Sequence, residues 1–185
     1  RAGDNLYSNS VVALDADSGD LRWYFQTSPR DEFDHASTSE PMIIEERFNG
    51  QMRKMIVQVS RNGHVYALDR MNGDFLYAGE YTRVNWAERD ERGKPVLKQE
   101  LYEPADTMVF PGLYGGKNWP PASYSPDTHM LYIPTTEWGT RFIRRDGEGR
   151  PGTMDLGGIP QFDTTGTGWV VAFDMLSGEI AWQKE

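Results

Sequence analysis

An acidic run in a short connecting segment is the first feature whose residue types could do chemistry. The residues Asp31-Glu32-Phe33-Asp34 follow Thr27-Ser28-Pro29 and stand between two copies of a repeated unit. A carboxylate in such a connection can take a proton from a substrate, which makes Asp34 a candidate general base. The alternative from the residues alone is a solvated loop carboxylate without a chemical role.

Two further segments carry polar or aromatic side chains at turns. Arg61-Asn62-Gly63 is typical of a turn that enters a strand. Residues 115–121 read Gly-Gly-Lys-Asn-Trp-Pro-Pro and are predicted to form a rigid aromatic loop. From the residues alone, this loop either lines a site or crosses the surface.

The acidic and histidine residues elsewhere do not predict a metal site. Asp15, Asp17 and Asp20 resemble the start of an EF-hand calcium loop. However, Gly19 falls one position early for that loop, and position twelve is Gln26 rather than Glu, so a structural turn is favoured. The three histidines, at 35, 64 and 129, lack ligand-type spacing.

A repeated pattern predicts the elements that must position these loops. In each copy a β-rich segment leads into an Asp-to-Gly turn and then into a second segment that ends in an aromatic residue. The Asp can bond the turn backbone, the Gly allows a positive φ angle, and the aromatic can pack against a neighbouring unit. Each copy is therefore predicted to be a β-hairpin. The copies are Ala13, Asp15, Gly19 and Trp23; Ala67, Asp69, Gly73 and Tyr77; and Ala172, Asp174, Gly178 and Trp182.

The spacing of the copies indicates the fold class. They lie 54 and then 105 residues apart, separated in the second interval by a predicted strand pair near 122–136 and by predicted long loops near 85–98 and 144–168. Units of about 50 residues with several short strands and no helical periodicity are typical of β-propeller blades. The sequence thus predicts an all-β β-propeller with about three blades, fewer than the four to eight that close a ring. We therefore expect part of a longer chain, and a complete small β-sandwich is the alternative.

Composition excludes several classes of protein. The 185 residues carry a net charge of −9, which argues against a nucleic-acid partner because phosphate binding needs clustered Lys and Arg. The longest apolar run, Trp169 to Phe173, is far shorter than the roughly 20 residues of a transmembrane helix. The absence of cysteine excludes disulfides and thiolate chemistry but leaves the cellular compartment open.

Taken together, the motifs resemble the quinoprotein alcohol dehydrogenases that use pyrroloquinoline quinone (PQQ), a family that includes the methanol dehydrogenase large subunit. The resemblance runs along nearly the whole chain and rests on several motifs in the right order. They are residues 3–7, the repeat at 13–23, 31–34, 60–63, 116–124 and 168–182. It implies an eight-bladed propeller with PQQ and a divalent cation on its axis, of which residues 1–185 would be a partial propeller domain covering roughly a third.

The resemblance also implies roles for individual residues. The family's catalytic aspartate ends its Asp-Glu-aromatic-Asp motif, which corresponds to Asp34, and this residue also contacts the metal. The family's basic cofactor ligand precedes Asn-Gly and corresponds to Arg61. Asn118 matches the asparagine that contacts the quinone, and Trp119 beside it is a further candidate for cofactor binding. The remaining metal ligands would lie outside this chain.

The implied reaction is oxidation of an alcohol to an aldehyde or ketone. Asp34 would take the hydroxyl proton while hydride passes to the quinone, with the metal as Lewis acid. Lanthanide-using members carry a second aspartate two residues after the catalytic one, whereas this chain has Ala36, so calcium is expected.

The resemblance implies partners and a location as well. These are a small alcohol substrate, a cytochrome c or haem c domain as electron acceptor, the remaining propeller blades, and the periplasm. The 185 residues alone are expected to bind PQQ weakly and to be inactive. The rival hypothesis is a non-catalytic propeller that serves as a protein-binding scaffold, because the repeat alone does not require an active site.

Overall fold

The described part of the chain is built from β-strands. The computed structural model describes residues 3–37, 39–98, 107–144, 152 and 158–185, and none of these residues is helical. No helix among them is therefore long and apolar enough to cross a membrane. The strands are β1 (Ser10–Leu14), β2 (Leu21–Gln26), β3 (Met42–Phe48), β4 (Gln51–Val59), β5 (His64–Asp69), β6 (Phe75–Glu80), β7 (Ala87–Arg89), β8 (Pro95–Leu97), β9 (Met108–Val109), β10 (Ser123–Ser125), β11 (Met130–Glu137), β12 (Thr140–Arg144), β13 (Gly158–Phe162), β14 (Thr167–Asp174) and β15 (Glu179–Lys184).

Two four-stranded antiparallel sheets form the centre of the fold. Their strand orders are β3-β4-β5-β6 and β10-β11-β14-β15, and a separate β1-β2 hairpin precedes them. Strand β5 is buried along almost its whole length. Its Val65 and Ala67 join the core shared with the β10-β11-β14-β15 sheet, whereas Tyr66 and Leu68 pack with Phe25 of β2. The sheets therefore stack face to face in the manner of propeller blades, which confirms the predicted all-β fold.

The three repeat copies form the predicted hairpins, β1-β2, β5-β6 and β14-β15. Each hairpin has a register shift directly after its repeat alanine. In the second copy the Asp69 carboxylate accepts the backbone N–H of Met71, and Asp174 accepts that of Leu176 in the third. The repeat aspartates therefore close turns, as predicted.

The aromatic residue of one repeat packs on the glycine of the next repeat. A Cβ atom added to Gly73 would lie 2.6 Å from the ring of Trp23, so only glycine fits under that ring. The same position of the third repeat, Gly178, lies under Tyr77, where an added Cβ would be 3.4 Å from the ring. The predicted packing of the repeat aromatics against neighbouring units is thus present at two successive contacts.

The connections predicted as long loops contain short strands. Residues 85–98 include the hairpin β7-β8, and β13 lies within residues 144–168, of which 145–151 and 153–157 lie outside the described residues. Strand β13 pairs with β12, which also pairs with β9, and these three strands form a sheet separate from the β7-β8 hairpin. The strand pair predicted near 122–136 is present as β10-β11.

Candidate active site

Asp34 lies in the connection between β2 and β3, in a tight turn closed by another aspartate. The carboxylate of Asp31 accepts backbone N–H groups from Phe33 at 2.9 Å and from His35 at 2.7 Å. Between them, Asp34 has a φ of 60°, a conformation that costs energy for a residue with a side chain. The side chain of Asp34 is 55% exposed, so this turn presents its carboxylate to the outside.

Arg61 lies in the turn between β4 and β5, and its side chain is only 9% exposed. Its Nη2 donates to the carbonyl oxygen of Leu113 and lies 3.5 Å from Oδ2 of Asp34. At this distance the ion pair is weak, and its half-exposed carboxylate adds little to stability. The buried Nε–H of Arg61 has no hydrogen-bond partner among the described residues. A buried donor of this kind is costly unless a ligand meets it.

Asn62 ties the Arg61 turn to the connection that carries Asp34. Its side-chain amide donates at 2.8–3.0 Å to the Thr27 carbonyl, the Ser28 hydroxyl and the Tyr66 hydroxyl. The sequence indicates Asn62 only as a turn residue, because nothing local shows which distant groups its amide meets.

The loop that begins at Gly115 packs against the backbone of Arg61. A Cβ added to Gly115 would lie 2.8 Å from the Cβ of Arg61, and the N–H of Gly116 donates to the Arg61 carbonyl at 2.8 Å. Thr136 at the end of β11 then donates its N–H to the Gly116 carbonyl at 2.7 Å. This loop therefore connects the Arg61 turn with the second four-stranded sheet.

Asn118 and Trp119 lie further along the same loop. The amide of Asn118 donates to the Tyr114 carbonyl at 3.2 Å, and its oxygen accepts the N–H of Trp119 at 3.0 Å. Trp119 is 77% exposed. Among the described residues, these contacts of Asn118 stay within its own loop, so the structure joins Asp34 to Arg61 directly but joins Asn118 to them only through the loop backbone.

Lys117 is buried beside Asn118. Its Nζ donates to the Asn118 carbonyl at 2.9 Å, and burial lowers the pKa of the ammonium group, an effect that the charge of Glu40 opposes. Lys117 also lines a cleft of about 370 Å³ together with Asn118, Trp138 and Trp169. No local sequence pattern indicates Lys117, because its burial depends on how the loop packs against distant residues.

No cluster of three or more His, Asp or Glu side chains suited to a metal occurs in the part of the chain that the structure describes. Asp34 is thus one oxygen donor rather than a complete site. Hard divalent cations take six or more oxygen ligands, so Asp34 would need further oxygen donors to complete a site.

Comparison with known proteins identifies the family. Residues 1–94 match the PQQ family profile described as "Glucose/ethanol/alcohol dehydrogenase, beta-propeller domain". The chain is 32% identical, over 98% of its length, to the quinohemoprotein alcohol dehydrogenase ADH IIB of Pseudomonas putida. The chain belongs to the PQQ-dependent alcohol dehydrogenase family.

Further members of the PQQ family resemble the chain in sequence and structure. The quinohemoprotein alcohol dehydrogenase of Comamonas testosteroni is 39% identical over 72% of the chain. The solved structure of quinohemoprotein alcohol dehydrogenase ADHIIG from Pseudomonas putida superposes with a TM-score of 0.88 at 26% identity, covering 98% of the chain. A europium-containing methanol dehydrogenase superposes with a TM-score of 0.85, also at 26% identity and 98% coverage.

The chain spans only part of these relatives. It covers 28% of the P. putida ADH IIB sequence, 19% of the C. testosteroni sequence, 30% of the ADHIIG structure and 33% of the europium-containing methanol dehydrogenase.

The described residues fit a bound quinone cofactor in their chemistry. Arg61 offers a buried cationic donor whose Nε–H is unpartnered, and Asp34 offers an exposed carboxylate 3.5 Å from the same guanidinium. PQQ carries carboxylate and quinone oxygens, which are the acceptors that such a donor needs.

Proposed function

We propose that the chain forms part of a PQQ-dependent dehydrogenase that oxidises a small alcohol to an aldehyde or ketone. The observation that carries this proposal is the pair of Asp34 and Arg61. An exposed carboxylate faces a buried guanidinium whose Nε–H has no hydrogen-bond partner among the described residues. The names of the relatives, which are alcohol dehydrogenases of the quinoprotein class, support the class of substrate.

Asp34 acts as the general base in this proposal. A base must be reachable by the substrate hydroxyl, and the exposed side chain of Asp34 meets that requirement. The turn closed by Asp31 fixes the backbone on both sides of Asp34. The carboxylate is therefore oriented before the substrate arrives, which lowers the entropic part of the barrier.

Arg61 would hold the cofactor and stabilise negative charge that develops on its oxygens. When bound, PQQ supplies the quinone that accepts hydride from the alcohol carbon. The cation of Arg61 is fixed by the Leu113 carbonyl, so it needs no reorganisation to act on a nearby oxyanion. Asn118 and Trp119 are proposed as further cofactor contacts from the neighbouring loop.

The metal is proposed to be calcium, with Asp34 as one of its ligands. A carboxylate oxygen is a preferred ligand of calcium. Ala36 stands two residues after Asp34, so this turn supplies no second carboxylate at that position to offset the higher charge of a trivalent ion.

The remaining blades are proposed to cover the two outer faces of the described stack. On one side, Val170 of β14 and Trp182 of β15 are exposed, although Trp182 holds the repeat position that Trp23 and Tyr77 fill. On the other side, Leu14 of β1 is exposed. Apolar surfaces of this kind mark contacts with further protein. A haem c domain or a cytochrome c as electron acceptor, and a periplasmic location, complete the proposal.

The test is dye-linked alcohol oxidation by the full-length protein, reconstituted with PQQ and calcium. We expect activity that requires both additions and that falls by about 10²-fold or more in Asp34→Asn, because general-base catalysis contributes factors of this size. Glu32→Gln is the matched control, since it removes a carboxylate from the same acidic run and should leave the rate unchanged. The 185 residues alone should show no turnover and weak PQQ binding.

An active Asp34→Asn enzyme would remove Asp34 from the mechanism. A full-length protein with neither activity nor PQQ binding would favour the protein-binding scaffold instead. Tight, stoichiometric PQQ binding by the 185 residues alone would contradict the requirement for further blades.

A further inference from the structure

His35 directly follows Asp34, and its ring is completely buried. The ring packs against both Phe33 and Trp86, with centroid distances of 5.6 and 5.7 Å. Its Nε2 lies 2.9 Å from the carbonyl oxygen of Pro111, and a carbonyl can only accept, so Nε2 carries the proton. Burial lowers the pKa of this imidazole, in keeping with a neutral ring that donates one hydrogen bond.

The backbone of His35 fixes the Asp34 turn. Its N–H donates to Oδ2 of Asp31, and the same oxygen also accepts the side-chain amide of Asn9 in the β1-β2 unit at 2.7 Å. His35 is therefore fixed at two points. Its backbone N–H is held by the Asp31 carboxylate, and its ring is held by the Pro111 carbonyl.

The side chain of His35 contacts the two segments that hold Arg61 in place. Pro111 stands two residues before Leu113, whose carbonyl accepts the Arg61 guanidinium. Trp86, which also packs against the imidazole, donates its indole N–H at 2.7 Å to the carbonyl of Asn62, the residue after Arg61. The His35 side chain thus contacts the two segments that hold Arg61, while its backbone holds Asp34.

We propose that His35 is the positioning residue that fixes Asp34 and Arg61 relative to each other in the site. It contacts neither substrate nor cofactor, and its contribution is the hydrogen bond to Pro111 together with its packing against Trp86. This proposal rests on the proposed function, because the relative position of Asp34 and Arg61 affects the reaction only if both act on the same bound molecule. A displacement of the order of 1 Å at a reacting group can cost about 100-fold in rate.

The test compares three variants in the full-length protein. His35→Phe keeps an aromatic ring without the donor, and His35→Asn keeps a polar amide that is too short to reach Pro111. His35→Gln has an amide that can reach the Pro111 carbonyl in place of Nε2. His64→Phe is the matched control, since His64 is also buried and packs against Trp86 at 5.9 Å, but its Nδ1 has no hydrogen-bond partner among the described residues and its Nε2 faces Glu80 at 3.9 Å rather than Pro111.

Two readouts separate positioning from simple loss of stability. We expect His35→Phe and His35→Asn to lower kcat by about 10-fold to 100-fold with a nearly unchanged KM. We also expect them to raise the Kd for PQQ, measured by titrating the apoprotein, by about tenfold because Arg61 loses its fixed position. His35→Gln should restore most of both values, and His64→Phe should change the thermal midpoint without changing either.

Several results would overturn the proposal. They are a kcat and Kd in His35→Asn within twofold of those of the unmodified protein, equal losses in His64→Phe, or no recovery in His35→Gln. If Asp34→Asn is inactive while the His35 variants are fully active, His35 is excluded and the proposed function stands. If Asp34→Asn keeps its activity, Asp34 is not the base, and the positioning role of His35 fails with it, whereas a full-length protein without activity or PQQ binding would contradict the proposed function itself.

Discussion

Two residues far apart in the sequence, Asp34 and Arg61, form the centre of the candidate site, and each depends on neighbours that are not themselves reactive. Asp34 is oriented by Asp31, and Arg61 is fixed by the Leu113 carbonyl and packed against Gly115. The precision of such a site comes from the surrounding contacts more than from the weak attraction across 3.5 Å.

Gly115 offers a direct test of the packing around Arg61. Its φ is 75°, and an added Cβ would lie 2.8 Å from the Cβ of Arg61, so Gly115→Ala should displace the arginine. We expect a rise of about tenfold in the Kd for PQQ of the full-length protein, measured by titration of the apoprotein.

Gly93→Ala is the control for backbone strain. Gly93 has a φ of 79° and nothing within 4 Å of an added Cβ, so it carries the same conformational cost of roughly 1 kcal/mol without touching Arg61. Equal effects of the two variants on PQQ binding would show that strain, and not the contact with Arg61, is responsible.

The sequence predicted part of this site and missed the rest for a physical reason. Residue types and motif order indicated Asp34 and Arg61, although the residues alone left Asp34 open as a solvated loop carboxylate. The supporting contacts of His35 and Asn62 link residues 24 to 76 positions apart. Such contacts are set by how the sheets stack, which no local pattern records.

At the scale of elements, the repeat hairpins were predictable because turn chemistry is local. Asp69 and Gly73 specify the β5-β6 turn by a side-chain hydrogen bond and a positive φ, whatever the rest of the chain does. The sheet of β9, β12 and β13 was not predicted, since its strands are short and its pairing joins residues 109 and 140 across a long separation. Polar, Gly-rich composition indicated loops near 85–98 and 144–168, and within these ranges the structure has the short strands β7, β8 and β13.

The contact of Trp23 with Gly73 predicts how tightly successive units are joined. Gly73→Ala would place a Cβ 2.6 Å from the indole ring, which forces the first hairpin away from the second sheet. We expect a loss of about 2–4 kcal/mol in the free energy of unfolding of the full-length protein, from overpacking added to backbone strain. Urea denaturation measures this loss.

Gly178→Ala is the matched control, because Gly178 occupies the same repeat position with a φ of 75°. Its added Cβ would lie 3.4 Å from Tyr77, an ordinary contact, so only the strain of about 1 kcal/mol should remain. A loss as large for Gly178→Ala as for Gly73→Ala would mean that the ring contact does not limit the fit.

At the scale of the whole molecule, the rings of two buried histidines pack against the same tryptophan, Trp86. His35 and His64 pack against Trp86 with centroid distances of 5.7 and 5.9 Å, and the indole of Trp86 supports the turn that holds Arg61. Burial, with the charge of Arg89 adding to it, lowers the pKa of His64 to about 3. Burial likewise lowers the pKa of His35.

These buried rings predict a loss of stability in acid. In the unfolded chain a histidine takes up a proton near pH 6.5, whereas native His64 stays neutral until about pH 3. As pH falls below 6.5, the unfolded state therefore binds a proton that the native state does not bind. The free energy of unfolding then declines by up to about 1.4 kcal/mol per pH unit for each such group. Above about pH 8 these groups should no longer affect stability, because both rings are then neutral in both states.

His64→Phe isolates one of the two contributions. In the full-length protein, the free energy of unfolding from urea titrations should fall less steeply between pH 6 and 4.5 in this variant, by about 1 kcal/mol per pH unit. Carboxylates titrate in the same range in both proteins, so the difference between the slopes reports His64 itself. Identical slopes would mean that native His64 takes up a proton as readily as the unfolded chain does, and the acid sensitivity would then have to come from other groups, His35 among them.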